Sequence, residues 1–217
     1  MSTHRGILAI WNSCKPGKEQ DYETWYQTEH LDERLSIAGF RRGRRYESIA
    51  RHDGYFTYYE TDSPDVLTSN AYLQRVNHPT PMTARIMSET FTDMSRTVCK
   101  RTFMLGHMHG VFAATLQLPH LPDKTWLGTW AKKEMGDASI ARIEGWEAVG
   151  ERLDMSVEAR LRGGDDRIET CLFVETLREA ECLKALEHLM SELGHANATT
   201  GVYRLLCDLT SQGNGMT

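Results

Sequence analysis

The sequence lacks a cysteine framework, a membrane-length apolar run and an excess of positive charge. Its five cysteines, Cys14, Cys99, Cys171, Cys182 and Cys207, are scattered, odd in number and never spaced CxxC. That pattern fits reduced thiols in a cytoplasmic protein better than a disulfide scaffold or a zinc site. The apolar run that starts at Gly6 covers about six residues, short of a signal-peptide core. No stretch reaches the roughly 18 residues needed to span a bilayer. Lys and Arg number 25 against 30 Asp and Glu, a formal net charge of −5. No global basic field is present to gather nucleic acid or an anionic membrane. Neither is expected as a partner.

What is present is globular. The 217 residues are 40% hydrophobic and 25% charged, enough for one large domain or two of about a hundred residues. A weak self-similarity favours two. "GILAI" (Gly6–Ile10) recurs as "GVFAA" (Gly110–Ala114), 104 residues on. "SIAGF" (Ser36–Phe40) recurs as "SIARI" (Ser139–Ile143), 103 on, and "YYET" (Tyr58–Thr61) as "FVET" (Phe173–Thr176), 115 on. Their common order carries the argument. The jump to 115 is assigned to a longer hairpin, "LDMSVEARLRGGDDR", with Gly163-Gly164 supplying turn chemistry.

Periodicity then predicts a strand over Gly6–Trp11, a turn at Lys15-Pro16-Gly17 and a helix from Glu19 to about Leu35. Strands follow over Phe40–Ala50 and Gly54–Glu60, joined near Asp53-Gly54. A second helix is predicted over 63–76 with Ser63 as N-cap and Pro64 at its first position. "VNHPTPMT" (Val76–Thr83) is predicted to be a rigid loop, and a strand over 95–105 closes the half. The second half repeats the order with strands over 110–118, 140–149, 167–175 and 200–209 and helices over 125–133 and 179–193. Two β-α-β-β-α-β units are two ferredoxin-like folds. Each antiparallel sheet has helices on one face and must cover the other; the sister sheet is the simplest cover. The expected fold class is α+β, with repeats over 1–106 and 107–217 packed as an intramolecular pseudo-dimeric barrel.

Certain residues of the first half carry a resemblance. They are Trp25, Glu29-His30-Leu31, Ala38-Gly39-Phe40, Arg42-Gly43-Arg44-Arg45-Tyr46 and the aromatic strand Tyr55–Tyr59. The chain resembles the dimeric α/β-barrel superfamily, in its EthD-like and muconolactone-isomerase-like branch, as a fused tandem repeat. The resemblance covers about Gly6 to Lys100; the second half matches as topology. It implies a cavity lined by the histidine at the helix end. The superfamily hosts isomerases, monooxygenases and haem enzymes, so the fold does not fix the reaction.

The candidate site lies on the unrepeated residues. On a helical wheel His30 falls about 40° from Tyr26, and Glu29 about 40° from Trp25. An imidazole beside a carboxylate on an aromatic face can move a proton near neutrality. The structural alternative is a Glu29 salt bridge and a His30 bonded to a backbone carbonyl. Leu31 and Leu35 fall opposite Tyr22, which requires a bend near His30–Asp32 or cover on both sides. Along the next strand Phe40, Arg42, Arg44 and Tyr46 share one face and Arg41, Gly43 and Arg45 the other. One arginine set is then placed to hold a carboxylate; the alternative is a charged edge. RNA binding by this basic, aromatic strand is disfavoured by the net negative charge. His107 and His109 form a two-ligand step without a third ligand nearby. No cofactor is indicated. A haem would need an axial histidine, for which His30 and His78 are the candidates.

The functional expectation is a cofactor-independent enzyme of isomerase or monooxygenase type acting on a small aromatic or lactone-like molecule. His30 would be the acid/base and Glu29 its orienting partner. Arg42 or Arg44 would anchor a carboxylate, and Trp25, Tyr26, Tyr46 and Tyr58 would wall the pocket. The competing expectation is a non-catalytic ligand-binding or interaction protein. A homodimer of pseudo-dimers is compatible with both.

Overall fold

The computed structural model describes residues 4–50, 54–150, 156–194 and 198–212. Eight strands form a closed barrel: β1 (Gly6–Cys14), β2 (Phe40–Ser48), β3 (Gly54–Thr61), β4 (Phe91–Leu105), β5 (Phe112–Leu118), β6 (Ile140–Ala148), β7 (Thr170–Thr176) and β8 (Thr199–Thr210). Around the barrel the order is β1-β3-β2-β8-β5-β7-β6-β4, all pairs antiparallel. Each half contributes four neighbours in one relative order, β4-β1-β3-β2 and β8-β5-β7-β6. The β2–β8 and β4–β6 ladders close the ring, and closure removes the free edges that would otherwise template aggregation.

Among the described residues, seven α-helices lie outside the ring: α1 (Glu19–Trp25), α2 (Leu31–Leu35), α3 (Asn70–Asn77), α4 (Pro81–Glu89), α5 (Lys124–Glu134), α6 (Val157–Leu161) and α7 (Glu179–Leu193). The expected helix over 63–76 is split. A 3₁₀ turn covers Pro64–Thr68, and Ser69 then caps α3 by accepting from the Tyr72 amide. Ser63 makes no side-chain cap bond. "VNHPTPMT" is not all loop: Thr80 caps and Pro81 opens α4, since proline's missing N–H costs nothing at a helix start. The turn at Asp53-Gly54 falls partly outside the described residues, as do 153–155 of the expected hairpin. The rest of that segment holds the extra helix α6, with Gly163 and Gly164 at φ 88° and 98° just beyond it.

Alternation along the strands sorts the interior into three cores. Leu8, Ile10, Tyr55 and Tyr59 face α1 and its neighbours in one helix–sheet core. Leu116, Ile143, Leu172 and Val174 face α5 and α7 in a second. The opposite faces of both sheets meet inside the barrel, where Ile7, Trp11, Tyr46, Phe56, Tyr58, Trp146 and Phe173 pack. Trp146 and Phe173 stack at 4.8 Å between ring centroids. A β-bulge between Phe40 and Arg42 changes the parity expected for β2. Phe40 packs against Tyr59 and Tyr72 on the helix side, whereas Tyr46 lies inside the barrel. They do not share a face.

Candidate functional site

The first helix is interrupted where its apolar stripe would lose phase. Residues Tyr26–His30 form one π turn between α1 and α2. The Leu31 amide reaches back to the Tyr26 carbonyl, an i→i+5 bond. That extra residue shifts later side chains by about 100° of wheel. Leu31 and Leu35, expected opposite Tyr22, thereby join the same buried face as Tyr22, Trp25 and Tyr26. The π turn also aims His30 inward. Its ring is 4% exposed, stacks on Trp25 at 3.9 Å and meets the Tyr26 ring edge-on at 5.2 Å. Its Nδ1 is buried without a hydrogen-bond partner. Burial first, and then the Arg34 and Arg162 guanidiniums, hold its pKa well below 6.5, so the imidazole is neutral.

Beside His30 lies a cavity of about 30 Å³, room for one or two waters. Its floor is sheet: Leu8, Ile10, Asn12 and Tyr59. Trp25, Tyr26, Tyr72, Met87 and Phe91 supply apolar and aromatic wall. The Tyr59 hydroxyl is a second buried polar atom without a partner. Burial pushes its pKa well above 10, so it remains a neutral donor. Tyr59 can lie flat over β2 because Gly43 faces it. A Cβ at Gly43 would come within 2.9 Å of the Tyr59 ring and 2.8 Å of Leu31. Asn12 is engaged, accepting from the Tyr22 hydroxyl at 3.1 Å.

The outer wall comes from the second half. Glu158 and Arg162, on and just after α6, line the cavity. Glu158 takes both carboxylate oxygens to Arg34 at 2.6 and 2.7 Å. Arg162 forms a two-bond pair with Asp165, both at 2.5 Å. Beyond it, the backbone of Asp166 exchanges hydrogen bonds with Met94 and Arg96 at 2.8 and 2.9 Å. The segment expected to be a plain hairpin is therefore the cover of the first half's cavity.

The expected site residues are divided by the sheet. Trp25, Tyr26 and His30 share the helix-side cavity. Glu29 does not orient His30: its Oε1 accepts from the Thr80 and Thr83 hydroxyls at 2.6 Å each, tying the π turn to α4. Thr83 in turn accepts from the Trp25 indole at 2.9 Å. Arg42, Arg44, Tyr46 and Tyr58 lie on the barrel side, away from His30. Arg42 pairs with Asp208 at 2.7 Å, and Arg44 with Glu175 and the Gly110 carbonyl. Tyr46 donates to Glu175 at 2.7 Å, and Tyr58 accepts from Arg142 at 2.8 Å. These four belong to a network in which Arg42, Arg44, Arg101 and Arg142 face Glu60, Glu144, Glu175 and Asp208. Charges balance within it, so neither Arg42 nor Arg44 is free to anchor a ligand carboxylate. His109 from the connection between halves enters this network. Its Nδ1 donates to Glu175 at 3.2 Å and its Nε2 accepts from Arg42. Burial and the surrounding Arg142, Arg44 and Arg42 push its pKa down to about 3. Among the described residues no group of three His, Cys, Asp or Glu is placed to hold a metal.

Sequence reasoning missed Tyr59, Arg34, Arg96 and α6. Arg34 had a signal, since it follows His30 by one turn. Tyr59 stood one residue from Tyr58; choosing between them required knowing which sheet face the helix covers.

No protein-family model matches the chain, and no curated protein matches it in sequence. Solved structures do match. A proposed monooxygenase from Fusobacterium nucleatum subsp. nucleatum superposes with a TM-score of 0.63 at 9% identity, over 97% of this chain and 96% of its own. The chain has the dimeric α/β-barrel fold. An anthrone oxidase-like protein aligns at TM-score 0.59 and 8% identity, over 97% and 94% of the two chains. A proposed chlorite dismutase aligns at 0.56 and 13%, over 94% and 96%. At such identities the likeness is one of fold. None of the described helices is long and apolar enough to cross a membrane.

Proposed function

We propose that the protein is a cofactor-independent monooxygenase or oxidase for a small hydroxylated or keto-aromatic molecule, with its reaction centre at His30 and Tyr59. The observation that carries this is the pairing of two buried, unpartnered polar atoms, His30 Nδ1 and the Tyr59 hydroxyl, in one aromatic cavity. Native proteins seldom leave buried polar groups unbonded, and such groups invite a functional explanation. A neutral imidazole accepts a proton, and a neutral phenol stabilises the oxyanion that forms. The oxygenase and oxidase names of the fold neighbours support the choice of reaction over simple isomerisation.

For an anthrone-type substrate, His30 takes a proton from the carbonyl-activated methylene. Tyr59 donates to the carbonyl oxygen, where the negative charge gathers. Dioxygen then takes four electrons in all. One of its oxygens becomes the new carbonyl and the other leaves as water with the two methylene hydrogens. Because the imidazole titrates well below 6.5, its protonation should not lower the rate between pH 9 and pH 7. The test is oxygen uptake with anthrone, with anthraquinone detected by chromatography. Wild type should exceed the buffer rate, His30→Gln should lose about 10²-fold or more, and Tyr59→Phe a comparable factor. A wild-type rate equal to buffer, or an unaffected His30→Gln, would overturn the catalytic reading in favour of ligand binding alone.

The site suits a small flat ring better than a haem: the cover over the cavity of about 30 Å³ must open for either, and a porphyrin needs several times the space of a two- or three-ring substrate. His78 is exposed at the end of α3, its Nδ1 against the Gln74 carbonyl at 3.0 Å. We also read 1–106 and 107–217 as diverged copies of one ferredoxin-like unit, the first kept as an EthD-like half with the site and the second as its cover. The equal strand order of the halves supports this. Five free cysteines support a cytoplasmic setting.

A further inference from the structure

Three arginines and one glutamate line the His30 cavity: Arg34, Arg96, Arg162 and Glu158. Two of the three cations are neutralised in place. Arg34 holds both oxygens of Glu158, and Arg162 both oxygens of Asp165. Arg96 differs. Its side chain donates to the Tyr72 hydroxyl and lies 5.8 Å from the centre of that ring. No carboxylate pairs with it among the described residues. It is half-buried, whereas Arg34, His30 and Tyr59 are buried. Arg96 therefore stands towards the mouth, while His30 and Tyr59 stand deep.

A guanidinium on a phenol ring, with most of its five donors uncommitted, suits a carboxylate bound through two parallel hydrogen bonds. The barrel arginines, by contrast, all have carboxylate partners. The cavity thus has a polar deep end that can meet a hydroxyl or carbonyl, an aromatic and thioether middle, and one surplus positive charge near its entrance.

We propose that the natural ligand of the His30 cavity is an aromatic carboxylate, its ring between Trp25, Met87 and Phe91, its hydroxyl or keto oxygen at Tyr59, and its carboxylate on Arg96. This deepens the proposed function and rests on it for the identity of the site. Entry of a ring requires the α6 cover to move outward, because the closed cavity holds only water-sized molecules. Arg96 is positioned for that role as well, since its own amide bonds Asp166 of the cover.

The test is an equilibrium titration of the full-length protein, followed by tryptophan fluorescence, under nitrogen. The probes are 6-hydroxy-2-naphthoate and 2-naphthol, which differ by the carboxylate alone. Wild type should bind the naphthoate at least tenfold more tightly than the naphthol. Arg96→Gln should remove that preference and leave naphthol affinity unchanged, and Arg96→Lys should restore part of it. Circular dichroism confirms that each variant is folded; Arg96 makes one side-chain bond, so little loss of structure is expected. Equal binding of the two probes by wild type, no binding of the naphthoate, or an equal loss of both in Arg96→Gln would overturn the assignment. Binding is read without oxygen, so the preference can hold even where anthrone turnover fails, and turnover can succeed where the preference is absent.

Discussion

A single imidazole sets the pH behaviour of the candidate site. His30 is neutral when folded because burial and two nearby guanidiniums oppose its charge. In the unfolded chain it titrates near 6.5. As pH falls the unfolded state binds the proton first, so the stability contributed by neutral His30 is complete above about pH 7 and is lost as pH drops below 6.5. The limiting slope for one group is about 1.4 kcal/mol per pH unit. His109, with its pKa near 3, acts in the same direction. A comparison of wild type with His30→Gln isolates His30, because His109 is common to both. Melting temperatures at pH 7.5 and pH 5 should show the wild type falling further than the variant. Equal falls would mean that His30 is not held neutral. At Gly43 the expectation is steric: Gly43→Ala places a Cβ against Tyr59 and Leu31. It should destabilise by about 1–3 kcal/mol and reduce turnover together with stability, read by denaturant titration and oxygen uptake.

At the level of elements, the legible parts were those whose pattern is local. The strands of both halves and the long helix α7 follow from periods of two and 3.6, and the structure keeps them within a few residues. The π turn was half legible. Leu31 and Leu35 announced a phase error after Tyr22, yet sequence could not say whether a bend, a second cover or an extra residue would correct it. The inserted segment was legible as extra length but not as a helix, because α6 is five residues long and is held by partners far away in sequence. Its main tie is Arg34–Glu158, a pair 124 positions apart. Glu29 and His30 part company for a related reason. Adjacent residues point about 100° apart on a helix, and Glu29 meets Thr80 and Thr83 at the start of α4, where the two prolines of 76–83 suggest loop. The tie between α2 and α6 makes its own prediction. Glu158→Gln removes the two-bond partner of the buried Arg34 and leaves it only Glu33 at 3.4 Å, a change that costs up to about 3–5 kcal/mol when fully buried. Part of that should be relieved by opening the cover. Hydrogen exchange should therefore accelerate in 156–166 more than in β1 and β3, and the naphthoate on-rate should rise. Uniform acceleration across the barrel would mean that α6 is an integral part of the core rather than a cover.

The whole molecule explains why the halves are divided in labour. One half carries the cavity, the other supplies its lid and the sheet that buries the inner face. Between them runs a closed set of ladders and a balanced ion network. Glu175 on β7 serves Arg44 and Tyr46 of the first half and Arg142 of the second. Cutting the chain at the boundary near residue 106 exposes several things at once in the first half. The β2 edge loses β8, the β4 edge loses β6, Phe56 and Tyr58 lose Trp146 and Phe173, and Tyr46 loses Glu175. Arg42 and Arg44 lose Asp208 and Glu175. An aromatic face with two open edges does not remain a soluble monomer. A protein of residues 1–106 should be recovered as a dimer or an aggregate by light scattering after size exclusion. Added in trans, residues 107–217 should convert it to a 1:1 complex of the mass of the intact chain. A stable monomeric first half would show that the inner face needs no cover. In that case the barrel's closure would serve α6 and the cavity rather than the core.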